Sequence, residues 1–179
     1  TFSKKIIPYT LLDMKRLYTL WHFSKSLKDK KGNILDIGCL KGGAGFVMSK
    51  ANNKGSTFLI DTFEGLVEDD LYHKKGHFVF NDVNFVKQKI RSLGLKNTKV
   101  IKGKFPNKVQ KYIGGKSYKL CHIDVNTYNS TKSTFNFLRK KIVKDGVIIF
   151  DDYGIYSAEG VKRFVDFITK KHSKEFSFI

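Results

Sequence analysis

Aspartates stand at or near the ends of four short apolar runs, and this recurrence is the first indication of a chemical site. The residues concerned are Asp36, Asp61, Asp124, and the adjacent pair Asp151 and Asp152. An isolated aspartate at such a position commonly caps a turn. If the runs are parallel strands of one sheet, their carboxyl ends border a single crevice in which ligands bind. We therefore predict one shared site.

The positions of these carboxylates suggest two roles. Asp61 ends the strand that follows a glycine-rich turn, where an acid can accept hydrogen bonds from both hydroxyls of a ribose. Asp124, Asp151 and Asp152 lie across the crevice, and they would raise one another's pKa unless a cation neutralised them. Because this trio offers only oxygen atoms, it favours a hard divalent ion such as Mg²⁺.

A divalent ion held by the trio would lower the pKa of a substrate hydroxyl by Lewis-acid action. Asp124 is also placed to take the proton, which makes it the predicted catalytic residue. His73 and His77 are alternative bases in the segment after the second strand. A lone histidine in a basic loop is more often simply solvated.

A glycine-rich turn follows the first apolar run, residues 34–37. Glycines occupy positions 38, 42, 43 and 45, and a helical apolar period begins at Ala44. Glycines let the backbone approach a ligand closely, and the N–H groups at a helix start can bind polar oxygens. The spacing is not the dinucleotide pattern G-x-G-x-x-G, since Leu40 stands at its second glycine.

Apolar runs alternate with helical periods along the chain, which predicts an α/β fold of the Rossmann-like kind. Its sheet would be doubly wound and mostly parallel, with helices on both faces. Strands are predicted at residues 34–37, 57–60, 99–102, 119–123 and 147–150, and residues 175–179 would begin a sixth.

Two segments lie outside this alternation. Residues 1–30 are predicted to form a helical cover over a single cofactor-binding domain, residues 31–179. In the cover, Thr10 would cap a helix with one apolar face formed by Leu11, Met14, Leu17, Tyr18 and Trp21. Residues 62–76 have a mixed pattern that is typical of a lid or binding loop.

The composition favours a globular enzyme over a nucleic-acid groove. The net charge is +18, but only four of the 34 basic residues are arginine, the side chain that clamps phosphates and reads bases. The lysines are scattered through every segment. Cys39 and Cys121 follow or lie in apolar runs, so we expect both to be buried and reduced.

We expect a cytoplasmic location by default. The sequence has no apolar run near the ~20 residues that span a bilayer, and its beginning does not look like a signal peptide. Thr1 in place of Met suggests that the numbered chain starts inside a longer one. A homo-oligomer is also anticipated as a possible state.

Several blocks of the sequence resemble the TylF-type, or macrocin, O-methyltransferases. In order they read I-L-D-I-G (34–38), I-D-T-F-E-G-L (60–66), I-K-G-K-F-P (101–106), C-H-I-D-V (121–125) with Tyr128 and Ser130-Thr131, and G-V-I-I-F-D-D-Y-G (146–154). D-T-F-E-G and I-F-D-D-Y-G are the more specific blocks. The resemblance implies a class I S-adenosylmethionine-dependent fold that methylates a hydroxyl, typically of a sugar on a natural product, with help from Mg²⁺.

The resemblance also implies roles for single residues. Asp124, Asp151 and Asp152 match the family's metal aspartates, Asp61 matches its ribose-binding acid, and Gly38 lies in its cofactor turn. The full set of predicted cofactor-binding residues is Asp36, Gly38, Cys39, Gly42, Gly43, Asp61, Thr62, Lys102 and Gly103.

Three features depart from the family pattern. Asn126 stands where a second aspartate is usual, and Leu40-Lys41 replaces an aromatic and basic pair. The chain also stops where the last two strands of the fold should form, so we expect an incompletely covered domain with an open sheet edge.

The leading hypothesis is a metal-assisted, S-adenosylmethionine-dependent O-methyltransferase that acts on a sugar or other polyol hydroxyl. A nicotinamide-dependent oxidoreductase on a similar sheet is the alternative enzyme. A basic nucleic-acid-binding domain with a degenerate methyltransferase fold is the alternative from another class, and Asn126 keeps it open because a lost site carboxylate can mark a lost activity.

Overall fold

Five parallel strands form the sheet in a computed structural model of the chain, which describes residues 2–179. They are β1 (Asn33–Ile37), β2 (Thr57–Asp61), β3 (Thr98–Lys102), β4 (Tyr118–Ile123) and β5 (Ile142–Phe150). Their spatial order is β3-β2-β1-β4-β5, and every neighbouring pair is parallel. The order reverses between β1 and β4, the kind of switch point at which open α/β sheets bind ligands.

Helices connect the strands. Within residues 2–179 they are α1 (Phe2–Ile6), α2 (Met14–Ser26), α3 (Gly43–Ala51), α4 (Val83–Ser92), α5 (Gln110–Ile113), α6 (Tyr128–Leu138) and α7 (Glu159–Lys171). Short 3-10 turns at Ile7–Tyr9 and Tyr156–Ala158 precede α2 and α7. The predicted Rossmann-like α/β fold is confirmed.

Both faces of the sheet are apolar, because successive side chains of a strand point to opposite sides. Leu59 of β2 packs in one cluster with Phe46 of α3 and Val86 of α4. Its neighbour Ile60 belongs to the opposite cluster, which contains Leu138 of α6. The strands therefore read as continuous apolar runs, as expected for a sheet covered on both sides.

The N-terminal helix differs from the prediction in its start and in its buried face. Asp13, not Thr10, caps α2: its carboxylate accepts hydrogen bonds from the backbone N–H groups of Lys15 (2.8 Å) and Arg16 (2.9 Å). The buried side chains of α2 are Leu17, Leu20 and Ser24.

Of the predicted apolar face of the N-terminal helix, only Leu17 is buried. The other four members remain largely exposed: Leu11 (66%), Met14 (52%), Tyr18 (62%) and Trp21 (41%). Leu20 packs instead with Ala44 and Met48 of α3. The helix carries two apolar stripes, and only tertiary packing decides which one turns inward.

The expected sixth strand is not formed in the part of the chain that the structure describes. Residues 176–179 have no regular secondary structure. Phe176 instead packs its ring on Phe135 of α6, with ring centroids 5.7 Å apart. Phe176 therefore anchors this segment on a helix and not on the sheet.

The structure also bears on the predicted state of the cysteines and on membrane-spanning helices. Cys39 and Cys121 are buried and not in a disulfide, as predicted. Among the helices of residues 2–179, none is long and apolar enough to cross a membrane.

Residues 62–82, between β2 and α4, contain no helix or strand, as predicted for the start of this segment. Glu68 pins the segment to the beginning of α6. Its carboxylate accepts hydrogen bonds from the Thr127 hydroxyl, from the Ser130 backbone N–H (3.2 Å) and from the Asn129 amide (3.2 Å). The loop is therefore held against the turn that follows β4.

A buried lysine ties together the amino ends of the strands that build the switch point. Lys119 of β4 is fully buried, and its Nζ donates to the carbonyls of Lys28 (3.1 Å), Lys30 (3.1 Å) and Lys54 (2.9 Å). These carbonyls belong to the turns that precede β1 and β2. One ammonium thus satisfies three backbone acceptors.

Lys119→Met should destabilise the fold by about 2–4 kcal/mol, because it removes a charged donor from three backbone carbonyls at once. Denaturant unfolding followed by circular dichroism measures this. Lys99→Met, at an exposed position of β3, is the matched control and should change stability by less than about 0.5 kcal/mol. Equal stabilities of the two variants would contradict the role given to Lys119.

Glu68→Gln should lower the free energy of opening of the loop, residues 62–82, by about 1 kcal/mol at neutral pH. Although burial acts to raise the pKa of Glu68, hydrogen bonds led by that of Thr127 lower it below the ordinary 4.5. The stabilisation by Glu68 is therefore complete at pH values above 4.5, and it is lost as the pH falls through the lowered pKa.

Hydrogen exchange at the Ser130 amide measures this loosening. The difference between wild type and Glu68→Gln should shrink at pH values below 4.5, whereas Glu159→Gln, at an exposed glutamate, should behave as wild type. A difference that is independent of pH would contradict the assignment.

Candidate active site at the carboxyl edge of the sheet

A cavity opens at the carboxyl edge of the sheet, beside the switch point between β1 and β4. Its lining comes from the turns after all five strands, from residues 9–12 of the N-terminal segment and from the loop after β2. Polar lining residues include Arg16, Asp61, Thr62, His73, Lys104, Asp124, Asn126, Ser130, Asp151 and Asp152. The predicted crevice therefore exists, and the strand-end aspartates other than Asp36 line it.

The backbone at this edge takes left-handed conformations after every strand. Non-glycine residues do so after four of them: Leu40 (φ 48°), Phe63 (φ 58°), Asn126 (φ 58°) and Asp152 (φ 60°). Gly103 does so after β3 (φ 156°). Such residues are uncommon and each costs of order 1–3 kcal/mol, so the surroundings must hold these turns in place.

Asp61 holds two of these turns. Its carboxylate accepts hydrogen bonds from the backbone N–H groups of Leu40 (2.8 Å) and Phe63 (2.7 Å), which follow β1 and β2. Burial raises the pKa of Asp61, and these hydrogen bonds act in the opposite direction. Since each carboxylate oxygen can accept more than one hydrogen bond, Asp61 can still accept from a ligand in the cavity.

Gly38 brings the end of β1 against the end of β4. Its φ is +88°, and a Cβ built there would lie 1.7 Å from the carbonyl oxygen of Asp124. The Asp124 N–H in turn donates to the Ile37 carbonyl at 2.9 Å. Only glycine permits this approach, which places the cofactor turn beside the predicted catalytic residue.

Five of the predicted cofactor-binding residues line the cavity, namely Gly38, Cys39, Asp61, Thr62 and Gly103. Asp36, Gly42, Gly43 and Lys102 are not in its lining. A Cβ at Gly42 would lie 2.6 Å from the Phe46 ring, and one at Gly43 would lie 2.5 Å from the Tyr9 carbonyl. These two glycines therefore permit close packing, while Lys102 pairs with Glu64 (2.9 Å).

Asp124 and Asp151 come together at the ends of β4 and β5, with His122 beside them. One ligand atom each from His122, Asp124 and Asp151 lie within 4.8 Å of one another. Burial and the charge of Asp151 raise the pKa of Asp124 well above its usual range. All three predicted metal aspartates line the cavity, and His122 lies close to two of them.

The oxygens of Asp152 are occupied by two other side chains. Arg16 of α2 donates through one nitrogen to Asp151 Oδ2 (3.0 Å) and to Asp152 Oδ1 (3.1 Å). The Asn126 amide donates to Asp152 Oδ2 at 2.7 Å. Asn126, which departs from the family pattern, therefore serves as a hydrogen-bond donor to an aspartate where a second carboxylate would repel it.

His122 is the functional candidate that the sequence reading missed. It pairs across β1 and β4 with Asp36, and its Nδ1 lies 2.8 Å from Asp36 Oδ1. Although burial alone lowers the pKa of His122, the hydrogen bond and charge of Asp36 raise it to about 9. The signal was available, since residues two apart on a strand share a face and His122 precedes Asp124 by that spacing.

The donor set fits a divalent cation. Two carboxylates and an imidazole lie within reach of one centre, and His122 Nε2 is buried without a hydrogen-bond partner among residues 2–179. A buried polar atom left without a partner costs about 1–3 kcal/mol. A cation bound there would satisfy it, in place of the proton that the carboxylates otherwise favour.

The two histidines proposed as alternative bases lie on the loop after β2. His73 lines the cavity, whereas His77 does not. Their rings pack edge to face with centroids 5.8 Å apart. His73 is therefore the one of the pair that remains a candidate.

Comparison with known proteins identifies the family. The family described as Macrocin-O-methyltransferase (TylF) matches residues 5–175, nearly the whole chain. A search of curated proteins found no match.

Solved structures with the same fold include three methyltransferases. The O-methyltransferase NovP is 19% identical with a TM-score of 0.79, over 92% of this chain and 75% of that one. CalS11, a calicheamicin methyltransferase, is 15% identical with a TM-score of 0.74, over 90% and 72%. An O-methyltransferase from Bacillus cereus, in complex with SAH, is 16% identical with a TM-score of 0.69, over 92% and 74%.

At such identities the solved structures establish the fold, and the family match establishes the relationship. The chain therefore belongs to the macrocin-O-methyltransferase (TylF) family of S-adenosylmethionine-dependent methyltransferases.

Proposed function

We propose that this enzyme transfers a methyl group from S-adenosylmethionine to a hydroxyl of a sugar or other polyol-containing small molecule, assisted by a divalent cation such as Mg²⁺. The observation that carries the proposal is a single cavity with two unlike halves. One half is bordered by the glycine turn and Asp61, and the other by Asp124 and Asp151.

The first half suits a nucleoside cofactor. Gly38 lines the cavity at the end of β1, and Asp61 offers carboxylate oxygens at the end of the adjacent strand. Such an acid can accept hydrogen bonds from ribose hydroxyls. S-adenosylmethionine, when bound, supplies an electrophilic methyl carbon on its sulfonium.

The second half suits activation of a hydroxyl. Asp124 lines the cavity next to Gly38, and its carboxylate, when ionised, can act as a general base. In the proposed reaction Asp124 would accept the hydroxyl proton while the oxygen bonds to the methyl carbon and the methyl–sulfonium bond breaks, which leaves S-adenosylhomocysteine. A divalent cation held by the acidic cluster would add Lewis-acid stabilisation of the developing negative charge.

Arg16 supports the acidic cluster from the N-terminal segment. Its guanidinium contacts Asp151 and Asp152, so it offsets part of the negative charge and keeps these side chains in a fixed orientation. Residues 9–12 close the same side of the cavity. The acceptor thus meets a wall built partly from the helical cover.

The related proteins bear on the acceptor class. NovP is an O-methyltransferase, and another structure of CalS11 describes it as a TDP-rhamnose 3'-O-methyltransferase. A sugar hydroxyl is accordingly our proposed acceptor. A cytoplasmic location and a homo-oligomeric state stay predictions. No observation of the site favours the nicotinamide or nucleic-acid alternatives.

Wild-type protein should bind S-adenosylhomocysteine in isothermal titration calorimetry, and Asp61→Asn should weaken binding about 10- to 100-fold. A lost hydrogen bond to a charged group costs about 1.5–3 kcal/mol, which corresponds to that range. Asp29→Asn, at an exposed position before β1, should bind as wild type. A folded wild-type protein that does not bind S-adenosylhomocysteine would contradict the cofactor site.

Removal of divalent cations should abolish methyl transfer, and Mg²⁺ should restore it. Transfer of a labelled methyl group to a panel of sugar-containing acceptors measures this. Asp124→Asn should lower kcat about 10²- to 10⁴-fold, the usual contribution of a general base, while S-adenosylhomocysteine binding persists. Turnover that is unchanged in chelator would refute the cation requirement without touching the cofactor site.

A further inference from the structure

We propose that the free edge of β3 is a docking site for an acidic, extended segment of a partner protein, which adds to the sheet as a further strand. The site is a groove beside β3, at the opposite edge of the sheet from β5. The groove shares no lining residue with the active-site cavity. The inference is therefore independent of the proposed methyl transfer.

The first support is the charge of the groove. No acidic residue lines it, whereas six exposed basic side chains do: Lys87, Arg91, Lys96, Lys99, Lys102 and Lys116. Within residues 2–179 only Lys102 of these six has an ion-pair partner, Glu64 at 2.9 Å. Cations gathered without counter-charges repel one another, so an anionic ligand interacts favourably with all of them.

The second support is the one-sided pairing of β3, which bonds only to β2. The Asn97 carbonyl accepts a hydrogen bond from the Thr57 N–H at 2.9 Å. At the other end of the strand, the Gly103 N–H donates to the Asp61 carbonyl at 2.8 Å. Alternate residues of a strand direct their backbone groups to opposite edges, so residues 97, 99, 101 and 103 face β2.

By the same alternation, Val100 and Lys102 direct their N–H and C=O groups away from the sheet. Both residues line the groove. Such unpaired groups are a template on which another extended chain forms main-chain hydrogen bonds. The groove thus offers backbone partners together with its positive charge.

The third support is that cations flank the edge on both faces of the sheet. Ile90 of α4 packs on one face, and Ile113 of α5 packs on the other. Lys87 belongs to α4, and Lys116 follows α5. Because successive side chains of an added strand point to opposite faces, acidic side chains at consecutive positions would each meet a cation.

These features favour a protein segment over a single-stranded nucleic acid. Nucleic-acid grooves stack successive bases on several aromatic rings and use arginine forks. Of the two aromatic residues in this groove, Phe58 is buried and only Tyr112 is exposed (49%). Five of the six cations are lysines. Backbone donors and acceptors at strand spacing match a peptide.

Fluorescence anisotropy with the full chain tests the site. The probe is a labelled peptide of glutamate and threonine, about ten residues long, at about 150 mM salt, where distant surface charges are screened. Lys87→Glu combined with Lys99→Glu should weaken binding at least about tenfold. Lys170→Glu combined with Lys174→Glu changes the net charge equally, at exposed positions outside the groove, and should weaken binding less than about twofold.

Hydrogen exchange on wild-type protein tests strand addition itself and needs no variant. Bound peptide should slow exchange of the Val100 and Lys102 amides by at least about tenfold. The Ile101 amide faces β2 and should be unchanged.

Folded wild-type protein that does not bind the peptide would overturn the inference and leave the methyl transfer untouched. Binding that survives the charge reversal in the groove, or that leaves Val100 and Lys102 unprotected, would overturn docking on the edge of β3. Tighter binding of an oligothymidine of equal length would overturn the choice of a protein partner.

Discussion

Repulsion among carboxylates at one edge of the sheet is the constraint to which the rest of the site responds. Asp124 and Asp151 meet in a desolvated position, and their proximity raises the pKa of Asp124. The chain compensates with Arg16 from α2 and His122 from β4. Arg16 also contacts Asp152, and His122 also contacts Asp36, so both side chains are held in place. A site of this kind is prepared to bind a cation or to accept a proton, and the proposed activation of a hydroxyl would use both.

Backbone strain is a second energetic cost at the same edge of the sheet. Every strand ends in a left-handed turn, four of them at non-glycine residues, and Asp61 stabilises two through hydrogen bonds to Leu40 and Phe63. Gly38 lets the turn after β1 touch Asp124, so the cofactor half and the acceptor half of the cavity share one backbone contact. Strain of this type persists only where surrounding structure fixes it, and it recurs at binding sites.

The sequence was sufficient for the sheet, the order of its elements and four of the site's aspartates, because apolar runs and strand-end acids depend on local pattern alone. It was insufficient wherever a tertiary contact chooses between local alternatives. Leu20 rather than Trp21 turns inward on α2, because Leu20 packs with Ala44 and Met48 of α3. His122 was missed because its role depends on contact with Asp36, which lies on another strand. The contacts of Asp152 with Arg16 and Asn126 were likewise not predicted, because they join residues distant in the sequence.

The helical cover is bound to the chemistry more closely than its position in the chain suggests. Tyr9 lies so near Gly43 that no side chain fits between the segment and the start of α3. Residues 9–12 line the cavity, and Arg16 holds the acidic pair from the same side. The loop after β2, pinned by Glu68 to the start of α6, forms another part of its wall. Under the proposed function, the cover and the loop would select the acceptor, whereas the strand ends would supply the cofactor and proton chemistry.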